Sequence, residues 1–475
     1  MFPHLPALRR GKPYASLDRL ELNDCRTGEV LARISQVNAG IIRKDLARIE
    51  EARAALQQFS CEQLLQVCGK AAELFLHEAL PLGDHGHVQS PEEYAATLSA
   101  TSGLPLGMVR RNNQKIASAL ANMRTVLNGL TRGLDLSILD GGFGEQFGTR
   151  LGFYPLTQSL GLVLPSNSPG VNSLWLPAIP LKIPVVLKPG RDEPWTPYRI
   201  IQAFLAAGCP AEAFGFYPTD HEGAAEILTR SGRALVFGDS TTTGQYAGNP
   251  AIQVHGPGHS KILIGEDQIE QWPDFLEVMV ASICDNGGRS CTNASAVVVP
   301  KYGREIAEAL AQRLGPIKPL PPGDSEAKLS AFAHPRMAES IDAAIEEGLR
   351  VPGALEATAP HRDGPRRMVF EGATYLRPTM VWCESIAHPL ANREFLFPYA
   401  SVVEVAQSEM LQRIGPSLVV TAITRDADFR RALLGSSVID RLNLGPVSTM
   451  QISWDQPHEG NLFEFLYRRR SLEFA

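Results

Sequence analysis

Apolar positions along the chain fall into two rhythms. In the first they recur at helical spacing: Leu46, Ile49, Ala52 and Leu56 share one face, and Leu64, Leu65, Val67, Ala71, Leu74 and Phe75 resume the pattern after a break near Ser60. Residues 44–79 are therefore predicted as two helices, preceded by short extended pieces over residues 15–36. Helix is predicted again over residues 91–130, with Ser90 as N-cap and Pro91 at the first helical position. Residues 133–152 turn polar and glycine-rich, as a hairpin projecting from a domain does.

The second rhythm alternates apolar runs of strand length with amphipathic segments. Residues 160–164, 184–187 and 234–237 read as strands, with a helix over 198–207 between the last two. That alternation predicts an α/β fold with a parallel sheet covered on both faces, which carries ligands at the carboxyl ends of its strands. Further on, residues 262–264, 401–405 and 418–423 read as strands, 304–314 as a helix, and 316–324 and 351–367 as loops. The tail, residues 463–474, alternates apolar and basic side chains and is predicted as an edge strand that pairs with a partner chain. No internal repeat interrupts this order.

Length and composition narrow the class. A chain of 475 residues with 44% apolar and 20% charged residues is expected to fold as a globular protein of two or three domains. A net charge of -6 leaves no electrostatic footprint for nucleic acid, and no stretch approaches the roughly 20 apolar residues that span a bilayer. The first residues, Met1 to Pro6, hold no apolar signal core, so a cytoplasmic location is expected. Seven scattered cysteines without a CxxC pair indicate neither a disulfide framework nor a zinc ribbon. Asp84-His85-Gly86-His87 and His255-Gly256-Pro257-Gly258-His259 read as solvated, glycine-containing breaks, and no metal site is assigned.

Candidate chemistry gathers at one cysteine and three strand ends. An amphipathic segment ending at Ile283 runs into Gly287-Gly288, then Cys291 among small polar residues, then an apolar run of strand length. This puts a thiol on a turn between helix and strand, with room for a substrate carbon to approach. A lone cysteine is ordinarily a buried structural residue, so its company decides its reading. The first strand end, Leu164-Pro165-Ser166-Asn167-Ser168-Pro169-Gly170, offers an amide to a developing oxyanion, though Asn and Ser also simply form turns. In the second, Val185-Val186-Leu187-Lys188-Pro189-Gly190, a lysine stands where it can hold a ribose hydroxyl or phosphate. The third, Phe237-Gly238-Asp239-Ser240-Thr241-Thr242-Thr243-Gly244, is a strand, a hydroxyl-rich turn and a helix start suited to a pyrophosphate.

Taken in this order, these segments resemble the aldehyde dehydrogenase superfamily over nearly the whole chain. Leu164 to Pro169 is similar to the family's I-x-P-W-N-x-P, with Ser166 for tryptophan; Val185 to Pro189 to V-V-x-K-P; and Phe237 to Gly244 to F-T-G-S-T-x-x-G, with Asp239 for glycine. Gly287 to Cys291 resembles G-Q-x-C, and Glu394 to Pro398 resembles E-I-F-G-P. The resemblance implies a Rossmann-type cofactor domain (1–132 and 153–259), an α/β catalytic domain (260–440) and a small β oligomerisation element (133–152 and 441–475). It implies Cys291 as nucleophile and Asn167 as oxyanion donor. NAD or NADP would be held by Leu164, Pro165, Ser166, Lys188, Arg191, Asp239, Ser240, Thr241, Gly244 and Glu394. Arg191, three residues after Lys188, stands where NAD-preferring relatives often carry a carboxylate; a guanidinium suits a 2′-phosphate, and Glu193 nearby can restore the carboxylate.

One departure alters the expected chemistry. The family's E-L-G-G-K corresponds to Pro257-Gly258-His259-Ser260-Lys261, so Pro257 occupies the place of the glutamate that activates the hydrolytic water. His255, His259 and Glu394 are candidate substitutes, and Arg289 is a candidate for lowering the thiol pKa or holding an acidic substrate. Three functions follow as expectations: NAD(P)-dependent oxidation of an aldehyde through a cysteine thioester; a coenzyme A-acylating aldehyde dehydrogenase or acyl-CoA reductase; or an inactive, dehydrogenase-like binding or structural subunit. The implied partners are a small-molecule aldehyde or acyl-CoA and copies of the same chain, as a homodimer or homotetramer.

Overall fold

In the computed structural model, which describes residues 3–83 and 86–474 and only the backbone of Ser240 and Thr242, two seven-stranded sheets organise the chain. Asp84 and His85, half of one histidine-containing break, lie outside the described residues. The first sheet runs, in spatial order, Ile252–His255, Gly232–Phe237, Ser159–Val163, Val185–Lys188, Phe214–Phe216, Ala7–Arg9 and Lys12–Tyr14. Its members from Ile252–His255 to Phe214–Phe216 are parallel, and the amino-terminal pair closes the far edge antiparallel. The second runs Ala354–Glu356, Thr379–Cys383, Tyr399–Glu404, Ala296–Val299, Lys261–Ile264, Ser417–Ile423 and Ile439–Leu444. All its neighbours are parallel except the Ala354–Glu356 edge.

The central strands of both sheets are buried on both faces, which is why they read as continuous apolar runs. In the second sheet Ile262, Ile264, Val297 and Val299 enter one core while Leu263 and Val298 enter another. In the first, Val185 and Leu187 face the largest core and Val186 a smaller one. The long helices pack on these faces. The second of the two helices expected over 44–79 is Cys61–His77, started by a capping box between Ser60 and Gln63; the first divides into Ala39–Leu46 and Ile49–Gln57. Ser90 and Glu93 form the same box at the start of Pro91–Ser102, followed by Leu106–Ala121 and Met123–Thr131.

A third layer joins the glycine-rich hairpin to the tail. Phe143–Gln146 pairs antiparallel with Thr149–Pro155, which pairs with Tyr467–Arg470. The strand expected over 463–474 is shorter because Leu462–Leu466 is helical, capped by the Asn461 side chain, which accepts from the Phe463 and Glu464 amides. Local capping overrides alternation there. Ile439–Leu444 pairs along Ser417–Ile423, so the second sheet extends past residue 440. The 351–367 loop holds a short edge strand, Ala354–Glu356, and the helix Pro335–Leu349 and strand Thr379–Cys383 complete the domain.

Candidate active site

Parallel pairing decides where the strand ends go. Val163 lies opposite Lys188 and Val236, and Phe237 opposite His255, so four carboxyl ends emerge on one edge of the first sheet. From His255 the chain crosses to Lys261, the start of the second sheet, and the crossing segment lies against the cysteine loop. Ser260 Oγ donates to the Cys291 carbonyl at 2.8 Å, and a Cβ on Gly258 would meet that same oxygen at 2.1 Å. Only glycine permits this approach.

A cavity of about 420 Å³ opens between the two sheets. Cys291, Asn167, Pro165, Ser166, Asp239 and Glu394 line it, as do Pro257, His255 and, from the helix Leu106–Ala121, Lys115. The Asn167 amide donates to the Arg289 carbonyl at 2.7 Å, fixing the strand-end loop to the cysteine loop. Glu394 accepts from the His259 amide at 2.6 Å and also from the Gly258 amide, so its carboxylate braces the crossing segment. Burial raises that carboxyl to about 7 despite these bonds. Burial likewise pushes the Cys291 thiol up to about 12, with Glu459 and Glu394 adding to the rise and Lys115 opposing it. Lys115 itself is lowered to about 8 by burial.

The remaining expected cofactor residues sit on the same edge with different exposures. Leu164 is packed in the core, its amide donating to Lys188 O at 2.9 Å, so only its backbone is near the crevice. Lys188 is partly buried, its ammonium at 3.4 Å from the Pro189 carbonyl, and burial lowers its pKa while Asp220 opposes that. Arg191 is exposed. Thr241 Oγ1 donates to Asp239 at 2.7 Å; Ser240 begins, and Gly244 follows, the short helix Ser240–Thr243. Lys188, Arg191, Thr241 and Gly244 lie outside the cavity lining itself.

Two expectations are corrected by packing. Arg289 is 6% exposed and borders the cavity, but its guanidinium donates to the Ser102 carbonyl at 3.0 Å and to Ala331 O and lies over the Phe332 ring. It is a strut under the cysteine loop, and the cations that interact with Cys291 are Lys115 and Arg441. Glu193 cannot supply a ribose-binding carboxylate, because it is 1% exposed and accepts from the Thr196 amide at 2.8 Å. Lys115, Glu459 and His458 escaped the sequence reading. Lys115 sits among helical positions that show only amphipathicity, and the other two lie in an irregular loop whose position the distant chain determines. Among the described residues no group of three or more His, Cys, Asp or Glu is arranged to hold a metal ion, and no helix is long and apolar enough to cross a membrane.

Comparison with known proteins agrees with this architecture. The model of the aldehyde dehydrogenase family matches residues 15–414, and the chain belongs to that family. It is 29% identical over 165 residues to phenylacetaldehyde dehydrogenase of Pseudomonas fluorescens, covering 33% of this chain and 32% of the relative. It is 28% identical over 218 residues to aminoacetaldehyde dehydrogenase of Pseudomonas aeruginosa, covering 42% and 43%. These alignments thus span a third to under half of each curated relative. The folds superpose more completely: indole-3-acetaldehyde dehydrogenase complexed with NAD+ matches with a TM-score of 0.79 at 18% identity over 99% of this chain and 97% of the other. The aldehyde dehydrogenase KauB from Pseudomonas aeruginosa matches with a TM-score of 0.80 at 16% identity over 99% and 96%.

Proposed function

We propose that this protein oxidises an aldehyde with NAD or NADP through a thioester on Cys291. The observation that carries the reading is the joining of Cys291, Asn167 and Glu394 around one cavity at the carboxyl edge of a parallel sheet. The Cys291 thiolate attacks the aldehyde carbon, and the charge that develops on oxygen is met by the Asn167 N–H not engaged with Arg289. A nicotinamide cofactor, when bound, would supply the hydride acceptor for oxidation of the thiohemiacetal to a thioester. Pro165, Ser166 and Asp239 would line its crevice, with Lys188 and Glu394 placed for ribose hydroxyls. The fit is favourable because Lys188 carries a partly buried charge with no carboxylate bonded to it among the described residues, and Glu394 presents a buried carboxyl to the cavity. With Glu193 buried and Arg191 exposed, a 2′-phosphate is the better match, so NADP is the expected preference. The exposed Phe143, Phe147 and Phe474 of the three-stranded layer suit an interface between copies of the chain.

A coenzyme A-acylating activity is the second reading, favoured by Pro257, which puts no base where the family places a glutamate. Reduced cofactor is to be followed with a panel of aldehydes, with and without coenzyme A. Turnover without coenzyme A, abolished in Cys291→Ala and lowered about 10²–10³-fold in kcat in Asn167→Ala, is the expected result. Turnover only with coenzyme A selects the second reading. No turnover and no cofactor binding would return the chain to the class of inactive subunits.

A further inference from the structure

We infer that His255 and Glu459 together form the base that lets water, and not another thiol, release the acyl group from Cys291. The inference rests on the reading of Cys291 as the acylated residue.

His255 ends the outermost parallel strand of the first sheet, beside Phe237, and its ring stacks on that phenyl ring with centroids 4.5 Å apart. It is 5% exposed and lines the Cys291 cavity. Nδ1 is hydrogen-bonded to the Glu459 carboxylate, while Nε2 is buried with no hydrogen-bond partner among the described residues. A buried orphan nitrogen is costly, and the His255 ring borders both the Cys291 cavity and a second one shared with Glu459, from which a ligand or water would satisfy it. Glu459 is held by the same strand twice. Gln253, two residues before His255 and so on the same face, donates to the Glu459 backbone carbonyl at 2.8 Å. A carboxylate accepts from Nδ1–H, which leaves the Nε2 lone pair free to take a proton.

The other candidates are engaged or hindered. Glu394 is occupied by two backbone amides, and His259 is lowered to about 4 by burial, with Lys261 and Arg393 adding to the fall. Pro257 lines the cavity and offers no base.

In the step itself, water oxygen bonds to the thioester carbon as Nε2 takes its proton. The C–S bond then breaks, the electron pair returns to Cys291 Sγ, and the imidazolium returns the proton to sulfur. Thioester and water become carboxylic acid and thiol. His255 is the catalytic base and Glu459 a positioning residue.

The test uses p-nitrophenyl acetate, which acylates a reactive thiol without any cofactor. Nitrophenolate release by the full-length protein should show a burst for acylation and a slow phase for deacylation. In His255→Ala the burst should persist while the slow phase falls on the order of 10²-fold, and added imidazole should restore part of it. Glu459→Gln, which can present an N–H to Nδ1, should also slow only the second phase, and Glu459→Asp should recover some of it. Acetyl should accumulate on Cys291 in the slow variants, seen by intact-protein mass. An unchanged slow phase in both variants, or a slow phase that in wild type needs coenzyme A and ignores His255, overturns the inference. So does a loss of burst and slow phase together in variants that unfold at the wild-type temperature. The dehydrogenase reading fails separately, when wild type turns over the ester yet yields no reduced cofactor with aldehydes.

Discussion

Cys291 sits where its own ionisation is resisted. Burial is the largest cause of its raised pKa, and two carboxylates, Glu459 and Glu394, add to it. The Lys115 ammonium works in the opposite direction, so thiolate formation depends on a residue from a helix far away in sequence. Lys115→Met should slow alkylation by iodoacetamide at pH 8 about threefold to tenfold, since one pKa unit changes the thiolate fraction tenfold. Glu459→Gln should speed it. Alkylation rates across pH, compared between the two variants, check both signs; equal rates in all forms would show that neither neighbour acts on the sulfur.

Elements meet at this site through glycines whose Cβ has no room. Gly288, with φ of +67°, would place a Cβ 2.3 Å from the Phe397 carbonyl carbon and 2.4 Å from Pro398 N. Backbone cannot yield as a side chain tip does, so Gly288→Ala must push the cysteine loop away from the segment carrying Glu394. Gly148, at a φ of +71°, has nothing within 4 Å of its Cβ and isolates the conformational cost alone. Gly148→Ala should cost about 1 kcal/mol, and Gly288→Ala clearly more together with most of the thiol's acylation. Denaturant unfolding and the nitrophenolate burst measure the two effects separately.

Across the molecule, burying ionisable groups between two sheets shapes stability against pH. His259 titrates near 6.5 when unfolded but only at about 4 when folded, so stability falls as pH drops from 6.5 toward 4. Glu394 tilts the curve the other way: its carboxyl ionises at 4.5 unfolded and about 7 folded, so stability falls as pH climbs from 4.5 to 7. His259→Asn should therefore lose less stability than wild type on acidification below 6.5, and Glu394→Gln should lose less between 4.5 and 7. Urea midpoints at several pH values report both slopes.

The sequence alone determined what is local or periodic. Ser90 and Glu93 announce a helix start because the capping box closes within one turn, and the runs before Asn167, Lys188 and Asp239 announce buried parallel strands because both faces must be apolar. The order of those segments also carried the family likeness, and with it Cys291 and the absent base at Pro257. Tertiary structure alone decided which charges reach the sulfur. Arg289, two residues before the cysteine, turns under the loop to bind carbonyls, while Lys115 and Glu459 arrive from 176 residues before Cys291 and 168 after it. Coulombic influence follows distance in space, and periodicity along a chain holds no record of that distance.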